Sequence, residues 1–461
     1  MVGERMARLR PWLHTREARR LLAMLAVALL LRLALAPWFS FFGDSPAYIY
    51  WGSSLRAHFF DLYSALSSNP NLRFSPQYPP LAMYVFGGCV AFYHALAAAF
   101  GLPAASYLHP SQALLAVMKL PAIACDLGVS ALIYWLARQR LGAKWALIAA
   151  ASYAFAPAVV VDGAMWGQTD GVTMLPLLLA LVCAQRKRGV WAGITLALAA
   201  LFKPTALIFA PIMLVYLWRW AGPKEVARGI GAAVATGLVI CLPYLVPPHF
   251  DLLTYPHVLA TSLTYYPVAS PSAFNLWFAL LIPGHPARAP YIGPLSPYVI
   301  GYALFAGFLA LALVHIWRNP SPARFYSCAG FVALASFDVT ALQLERYLFP
   351  AIGLFLLAAV YDRRAIKIYV FVSAACFVNM WARVIVYNSL LIHAGWPLNS
   401  LDWALVTRPW YGSLALLMSL VDVAALIVLT RRLIVDLTRR PPYPRREVEP
   451  EAGAVEVAVQ G

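Results

Sequence analysis

The sequence predicts an all-α polytopic membrane protein with about 12 transmembrane helices, in the range 11–13, and two long external loops. Composition points there first. The 461-residue chain is 62% hydrophobic and only 12% charged, against about 25% charged residues in a soluble domain. Mean hydropathy is +0.70. Patterning agrees, because most stretches between basic clusters are apolar for about 17–25 residues, enough to cross a hydrocarbon core as a helix.

Spans are expected near 21–38, 115–137, 145–161, 170–184, 189–202, 204–218, 228–247, 293–316, 325–338, 345–360, 367–388 and 411–430. Lys and Arg sort onto one side of this map. The segments 1–20, 138–144, 186–188, 219–228, 318–324, 363–367 and 431–446 hold 26 of the 35. Basic loops face the cytoplasm, so both termini are expected there. The net charge of +16 follows from that sorting, and nucleic acid is not an expected partner; membrane lipids are. Ala34-Leu35-Ala36 resembles a signal-peptidase site, but Arg32 interrupts the apolar run and Pro37 follows it. The first span is therefore read as uncleaved.

The organisation is a cytoplasmic basic N-terminus (1–20), a transmembrane domain (21–434) and a cytoplasmic tail (435–461). Pro and Glu in Pro441–Gly461 predict disorder there. Residues 81–100 are apolar enough to span, yet a crossing there would flip every later loop and move Arg186-Lys187-Arg188 outside. They are read as an interfacial or partly buried helix within the first external loop, 39–114. The second loop is 248–292, rich in Pro, Tyr and Ser. Long loops in a compact protein are usually functional, so chemistry is expected on the outer face.

The six cysteines are scattered through apolar stretches without a C-x-x-C pair, and the nine histidines show no H-E-x-x-H spacing. The cysteines read as small core residues. No metal and no cofactor is expected.

Acids away from the cytoplasmic clusters are Asp44, Asp61, Asp126, Asp162, Asp170, Asp251, Asp338, Glu345, Asp402 and Asp422. Charge at membrane depth is expensive and usually faces the bundle interior or a wet cavity. Asp44, in Phe42-Gly43-Asp44-Ser45-Pro46, suits a helix N-cap and also a general base at an aqueous cavity. Arg73 to Leu81, with Tyr78-Pro79-Pro80, reads by physics alone as a rigid turn into the 81–100 helix.

Trp166-Gly167-Gln168-Thr169-Asp170 reads equally as an interfacial anchor or as a sugar site, an aromatic face beside donors and acceptors. Lys203-Pro204 and Glu345-Arg346-Tyr347 put cations on the outer side against the charge bias. They fit lipid phosphate contact or an anionic substrate, Arg being suited to bidentate phosphate contact. Arg32 lies six residues before Trp38, roughly 9 Å below the outer boundary, and fits either snorkelling or a phosphate. Lys119 and Asp126 share a helix face and read as an interior network. Asn275-Leu276-Trp277 is a weak signal by itself.

Together these motifs resemble the GT-C superfamily of polyprenyl-phosphate-sugar-dependent glycosyltransferases. They are most similar to prokaryotic relatives of the second GPI mannosyltransferase. The likeness covers about residues 20–360: Gly43-Asp44, Tyr78-Pro79-Pro80-Leu81, Lys119 with Asp126, Trp166 to Asp170, Asn275-Leu276-Trp277 and Glu345 to Pro350. It implies a GT-C-like bundle, with Asp44 as catalytic base and a polyprenyl- or dolichyl-phosphate-linked donor. The acceptor would be a glycan, a glycolipid or a lipid-linked molecule. The sugar implied is a hexose, with mannose preferred. Arg346, then Lys203 and Arg32, would bind the donor phosphate. Trp166, Gln168, Asp170, Tyr78, Asn275, Trp277, Glu345 and Tyr347 would line the sugar and acceptor sites. The chain departs from the family where a His often precedes Glu-Arg-Tyr; here that residue is Leu344. The first-loop acid also stands without a second acid two residues on, which weakens the case for a divalent metal.

A prokaryotic plasma membrane is the expected location, or the ER membrane in a eukaryote. The competing expectation is a secondary transporter or lipid flippase using Arg32, Lys119, Asp126 and Asp422. Against it stand the lack of an internal repeat and the two long external loops.

Overall fold

The computed structural model describes residues 15–38, 40, 44–69, 74–256, 260, 267–394 and 409–438, the side chains of 384–394 and 409–411 excepted. Gly43, Arg73, Asp402, most of the basic N-terminus and the acidic tail lie outside these residues. Among the described residues every regular element is helical, and the extended contacts are two isolated bridges.

Helices overlap each of the expected spans, with ends that differ by up to eight residues. Arg16–Leu35 comes first. The spans expected at 115–137 and 145–161 form one run, Gln112–Ala154, broken at Gly142 (φ 76°, ψ 169°). After it come Asp170–Gln185, Gly189–Phe202, Ala210–Ala221, Pro223–Cys241, Pro297–Arg318, Pro322–Val339, Phe349–Tyr361, Ala365–Ala394 and Pro409–Thr438. Several starts are written in the sequence. Ser111, Ser296 and Ser321 each accept a hydrogen bond from the N–H three residues on, and prolines follow the last two. That is the pairing of N-cap hydroxyl and N1 proline that helix starts favour.

Seven of the described helices are long and apolar enough to cross a membrane, Pro80–Phe100 among them. Phe349–Tyr361 has 13 residues, about 20 Å at 1.5 Å per residue. It is buried almost throughout, so neighbouring helices rather than lipid cover it. Gly189–Phe202 and Pro223–Cys241 cross with backbones in contact: a Cβ on Gly193 would collide with the Gly229 carbonyl. Small residues four apart, here Gly189 and Gly193, are what permit such an approach in a membrane.

Between the first helix and Gln112–Ala154 the chain builds an aromatic lobe. Tyr48 stacks on Phe86 with centroids 4.6 Å apart. Trp51 donates to the Phe74 carbonyl at 2.7 Å, and Tyr63 to the Tyr78 carbonyl at 3.0 Å. The two long loops are tied together by Asp251, whose buried carboxylate accepts from the Ser64 N–H at 2.8 Å and from the Tyr63 N–H. It caps the short helix Leu62–Ser67 from outside. Within the second loop, Ala269 N–H donates to His285 O at 2.7 Å and Leu342 N–H to Ala269 O at 3.1 Å. The loop is thereby fastened to the turn ahead of Glu345.

Candidate active site

Asp44 opens the helix Ser45–Ser54, but its side chain makes no capping bond. The expected cap is absent because Asp44 is already helical (φ −94°, ψ −44°), whereas capping residues are usually extended. Pro46, two residues on, has no N–H to offer. The carboxylate turns instead to the Trp166 motif. Its Oδ2 accepts from Trp166 Nε1 at 3.1 Å and from the Gln168 amide. Oδ1 accepts no hydrogen bond among the described residues, and Asp44 is half-buried.

Residues 161–166 form a π-turn, and Gly167 follows in the left-handed region (φ 85°). The Gly167 and Gln168 N–H groups both donate to Asp162 O, at 3.1 and 2.9 Å. This winding presents the Trp166 indole and the Gln168 amide on one side. π-turns of this kind concentrate at functional sites. Tyr48 donates to Gln168 Oε1 at 3.2 Å and lies 3.3 Å from the Tyr78 hydroxyl, which accepts from Thr169 at 3.4 Å. The Tyr48 bond fixes which end of the Gln168 amide faces Asp44. Tyr48 had a sequence signal: it stands four residues after Asp44, one helical turn along the same face.

Cations lie beside this carboxylate. Lys203, extended between two helices, donates to Asp170 Oδ1 at 2.6 Å. Arg346 donates to Glu345 Oε1 at 2.8 Å, and its Nε stands 3.8 Å from Asp170 Oδ2. Its guanidinium is 5.8 Å from the centroids of both Trp166 and Tyr347. Glu345 is held from its other side by the Ser272 hydroxyl. Nothing in the sequence links Ser272 to Glu345; the second loop's attachment near Leu342 does. Leu342 itself is left-handed (φ 66°), a strain on the order of 1–3 kcal/mol that typically gathers at functional sites.

Electrostatics fix the charge states. Burial works against charge on Arg346, but Glu345 and Asp44 reverse this and hold its pKa well above the ordinary value. Burial likewise opposes charge on Lys203, and Asp170 overrides it upward. Burial would raise Glu345, yet Arg346, Arg383 and Ser272 leave it below the usual carboxylate range. Burial, Tyr78 and Asp44 all push the Tyr48 phenol up. The cluster thus sets three carboxyl groups, those of Asp44, Asp170 and Glu345, beside the Arg346 and Lys203 side chains. Among the described residues no group of three or more His, Cys, Asp or Glu side chains is placed to hold a metal ion.

The twelve sequence-derived site residues therefore fall into three groups. Asp44, Tyr78, Trp166, Gln168, Asp170, Lys203, Glu345, Arg346 and Tyr347 form one connected cluster. Arg32 stands behind it, fully buried, its Nε 3.6 Å from Asp126. Asn275 and Trp277 spend their polar atoms on backbone: Asn275 donates to Phe337 O and Trp277 Nε1 to Val339 O, each at 3.1 Å. They pin the second loop to the end of Pro322–Val339.

An apolar helical bundle carrying one cluster of a half-buried carboxylate, paired cations and aromatic faces fits a membrane-embedded glycosyltransferase. The sequence profile of glycosyltransferase family 87 matches residues 78–337, more than half of the chain, and the protein belongs to that family. The matched region includes Trp166 to Asp170, Lys203 and Asn275 to Trp277, but neither Asp44 nor Glu345-Arg346. No curated protein matches the chain. Among solved structures, the chain is similar to ArnT from Cupriavidus metallidurans bound to undecaprenyl phosphate. Identity is 17%, coverage is 90% of this chain and 73% of that one, and the TM-score is 0.47. Family membership and the long apolar helices make the chain an integral, multi-pass glycosyltransferase, which sets aside the transporter expectation.

Proposed function

We propose that the protein transfers a hexose, with mannose preferred, from a polyprenyl- or dolichyl-phosphate-linked donor to an acceptor hydroxyl on the extracytoplasmic face, with inversion. One observation carries this reading. Asp44 has one oxygen fixed by Trp166 and Gln168 and the other unbonded among the described residues, with the Arg346 guanidinium close by.

Asp44 Oδ1 takes the acceptor's hydroxyl proton as that oxygen attacks C1. The C1–O bond to phosphate breaks, and both electrons leave with the polyprenyl phosphate. The transition state is oxocarbenium-like, by analogy with glycoside hydrolysis. A glycosidase must protonate a leaving alkoxide, whereas a phosphate departs as a stabilised anion. What this step needs is positive charge at the developing phosphate. Arg346 supplies it, because its 3.8 Å contact to Asp170 is too long for a hydrogen bond and can be exchanged for a phosphate oxygen. Lys203 stays on Asp170 and contributes charge at longer range. The Trp166 and Tyr347 faces with the Gln168 and Tyr78 polar groups suit a sugar ring.

The preference for mannose rests on the family likeness alone. Mass spectrometry of products formed from polyprenyl-phosphate-mannose and polyprenyl-phosphate-glucose, with glycan and glycolipid acceptors, decides it. Purified Asp44→Asn should lose transfer by roughly 10²- to 10⁴-fold, the usual worth of a general base, with its melting temperature close to wild type. Near-wild-type transfer by that variant would overturn the mechanism.

A further inference from the structure

We infer that Lys119 is a positioning residue that locks the base to its hydrogen-bond donors. This rests on the reading of Asp44 as the base. Lys119 lies on the buried face of Gln112–Ala154, and its ammonium donates to Ala36 O at 2.7 Å and to Met165 O at 2.9 Å. Those carbonyls belong to the two chain segments that build the base. Ala36 caps the first helix, whose chain leads on to Asp44. Met165 immediately precedes Trp166, whose indole holds Asp44 Oδ2. One cation therefore brackets both segments.

Packing shows the same bracket. Ala36, Ala164 and Ile123, one turn after Lys119, share an apolar cluster. Gly167 presses directly on the Lys119 stem: a Cβ there would sit 3.0 Å from Lys119 Cε. Asp126, seven residues after Lys119 and on the same face, continues the support. Cβ atoms at Gly163 and Gly171 would both run into its carboxylate. One helix face thus backs the first helix, the π-turn and the start of Asp170–Gln185. A buried ammonium also demands acceptors, so both carbonyls are held as long as Lys119 is present.

Loss of the bracket should displace Trp166 and Gln168 from Asp44 without touching the donor contacts of Arg346. Misplacement near 1 Å at a reacting group costs up to roughly 10²-fold. The full-length protein in nanodiscs, as Lys119→Met, should show kcat lowered about 10- to 100-fold, with a much smaller rise in the donor KM because Arg346 keeps its phosphate contact. Lys119→Arg should recover part of the loss, because it can still donate to both carbonyls. Gly167→Ala keeps the ammonium but presses on its stem and should reproduce the kcat loss, which covers the case where Lys119→Met fails to fold. A folded Lys119→Met or Gly167→Ala with wild-type kcat overturns the inference. The two readings fail separately. An active Asp44→Asn sinks the base, while an inactive Asp44→Asn beside a wild-type Lys119→Met sinks only the bracket.

Discussion

Among the described residues, the Arg32–Asp126 and Arg346–Asp170 contacts are built differently. The inner one, Arg32 with Asp126, is closed: the side chains are 0% and 1% exposed and 3.6 Å apart. Among the described residues Arg32 makes one backbone hydrogen bond, to Ala28 O, and neither Asp126 oxygen accepts any. Gly163 and Gly171 wall the carboxylate in. The outer one, Arg346 with Asp170, is a loose 3.8 Å link in a larger chain that runs from Lys203 through Asp170 and Arg346 to Glu345 and Ser272. Beside it stands the half-buried Asp44 carboxylate, whose charge acts on Arg346. A closed pair fixes helix positions. A chain of exchangeable contacts can surrender one to a substrate anion.

The largest expected effect tests the inner pair. Arg32→Met leaves the Asp126 carboxylate buried without its partner, which costs about 3–5 kcal/mol of stability. Replacing both, as Arg32→Met with Asp126→Leu, should return most of that loss, because well-packed apolar residues often substitute for a buried pair. Unfolding of the three proteins in one detergent measures it. Should Arg32→Met keep its stability and raise the donor KM instead, Arg32 belongs to the phosphate site and the comparison collapses.

The outer chain is tested next by Arg346→Lys. Lysine keeps the charge but loses the planar fork that can serve Glu345 and a phosphate together. Activity should fall about 10- to 100-fold, about 1.4–2.7 kcal/mol in the barrier, with a raised donor KM and a small change in melting temperature. An unchanged donor KM would mean that the phosphate is held elsewhere, and Lys203 would be the next residue to replace.

How much of this was legible in the sequence follows from what each residue needs in order to act. The helices were readable because apolar length and basic flanks act locally. Even the break at Gly142 fell inside the basic segment 138–144 that separated two expected spans. The outer cluster was readable as a set because Asp44, Trp166 to Asp170, Lys203 and Glu345-Arg346 all sit at helix ends expected on one face. Pairings were not readable. Arg32 meets Asp126 across 94 positions of chain, and Ser272 meets Glu345 through a loop with no regular pattern. The direction of the Asp44 side chain was misjudged because capping is a local rule, and the competing donors on Trp166 and Gln168 come from another helix end. Lys119 was seen as part of an interior network, but its carbonyl partners belong to backbone and leave no mark in the sequence.

The smallest effect concerns the far end of the outer chain and turns on the sign of a titration. Glu345 sits below the usual carboxylate range in the folded protein. Its stabilising contribution is therefore complete above the unfolded value near about 4.3, and it is lost as pH falls through the lower folded value. Across about pH 5 to 8 this group leaves the melting temperature flat. Glu345→Gln keeps the side-chain volume and an oxygen that accepts from Arg346, so it should destabilise by only about 1 kcal/mol at neutral pH. The difference from wild type should shrink below about pH 4, where Glu345 itself takes up a proton. Melting curves of both proteins between about pH 3.5 and 8 decide this. If the gap stays constant on acidification, the Glu345 charge does not hold Arg346, and the outer chain is no more exchangeable than the inner pair. If the gap closes, the Glu345 charge holds Arg346 in place, and the weak Asp170 link is the contact that a donor phosphate replaces.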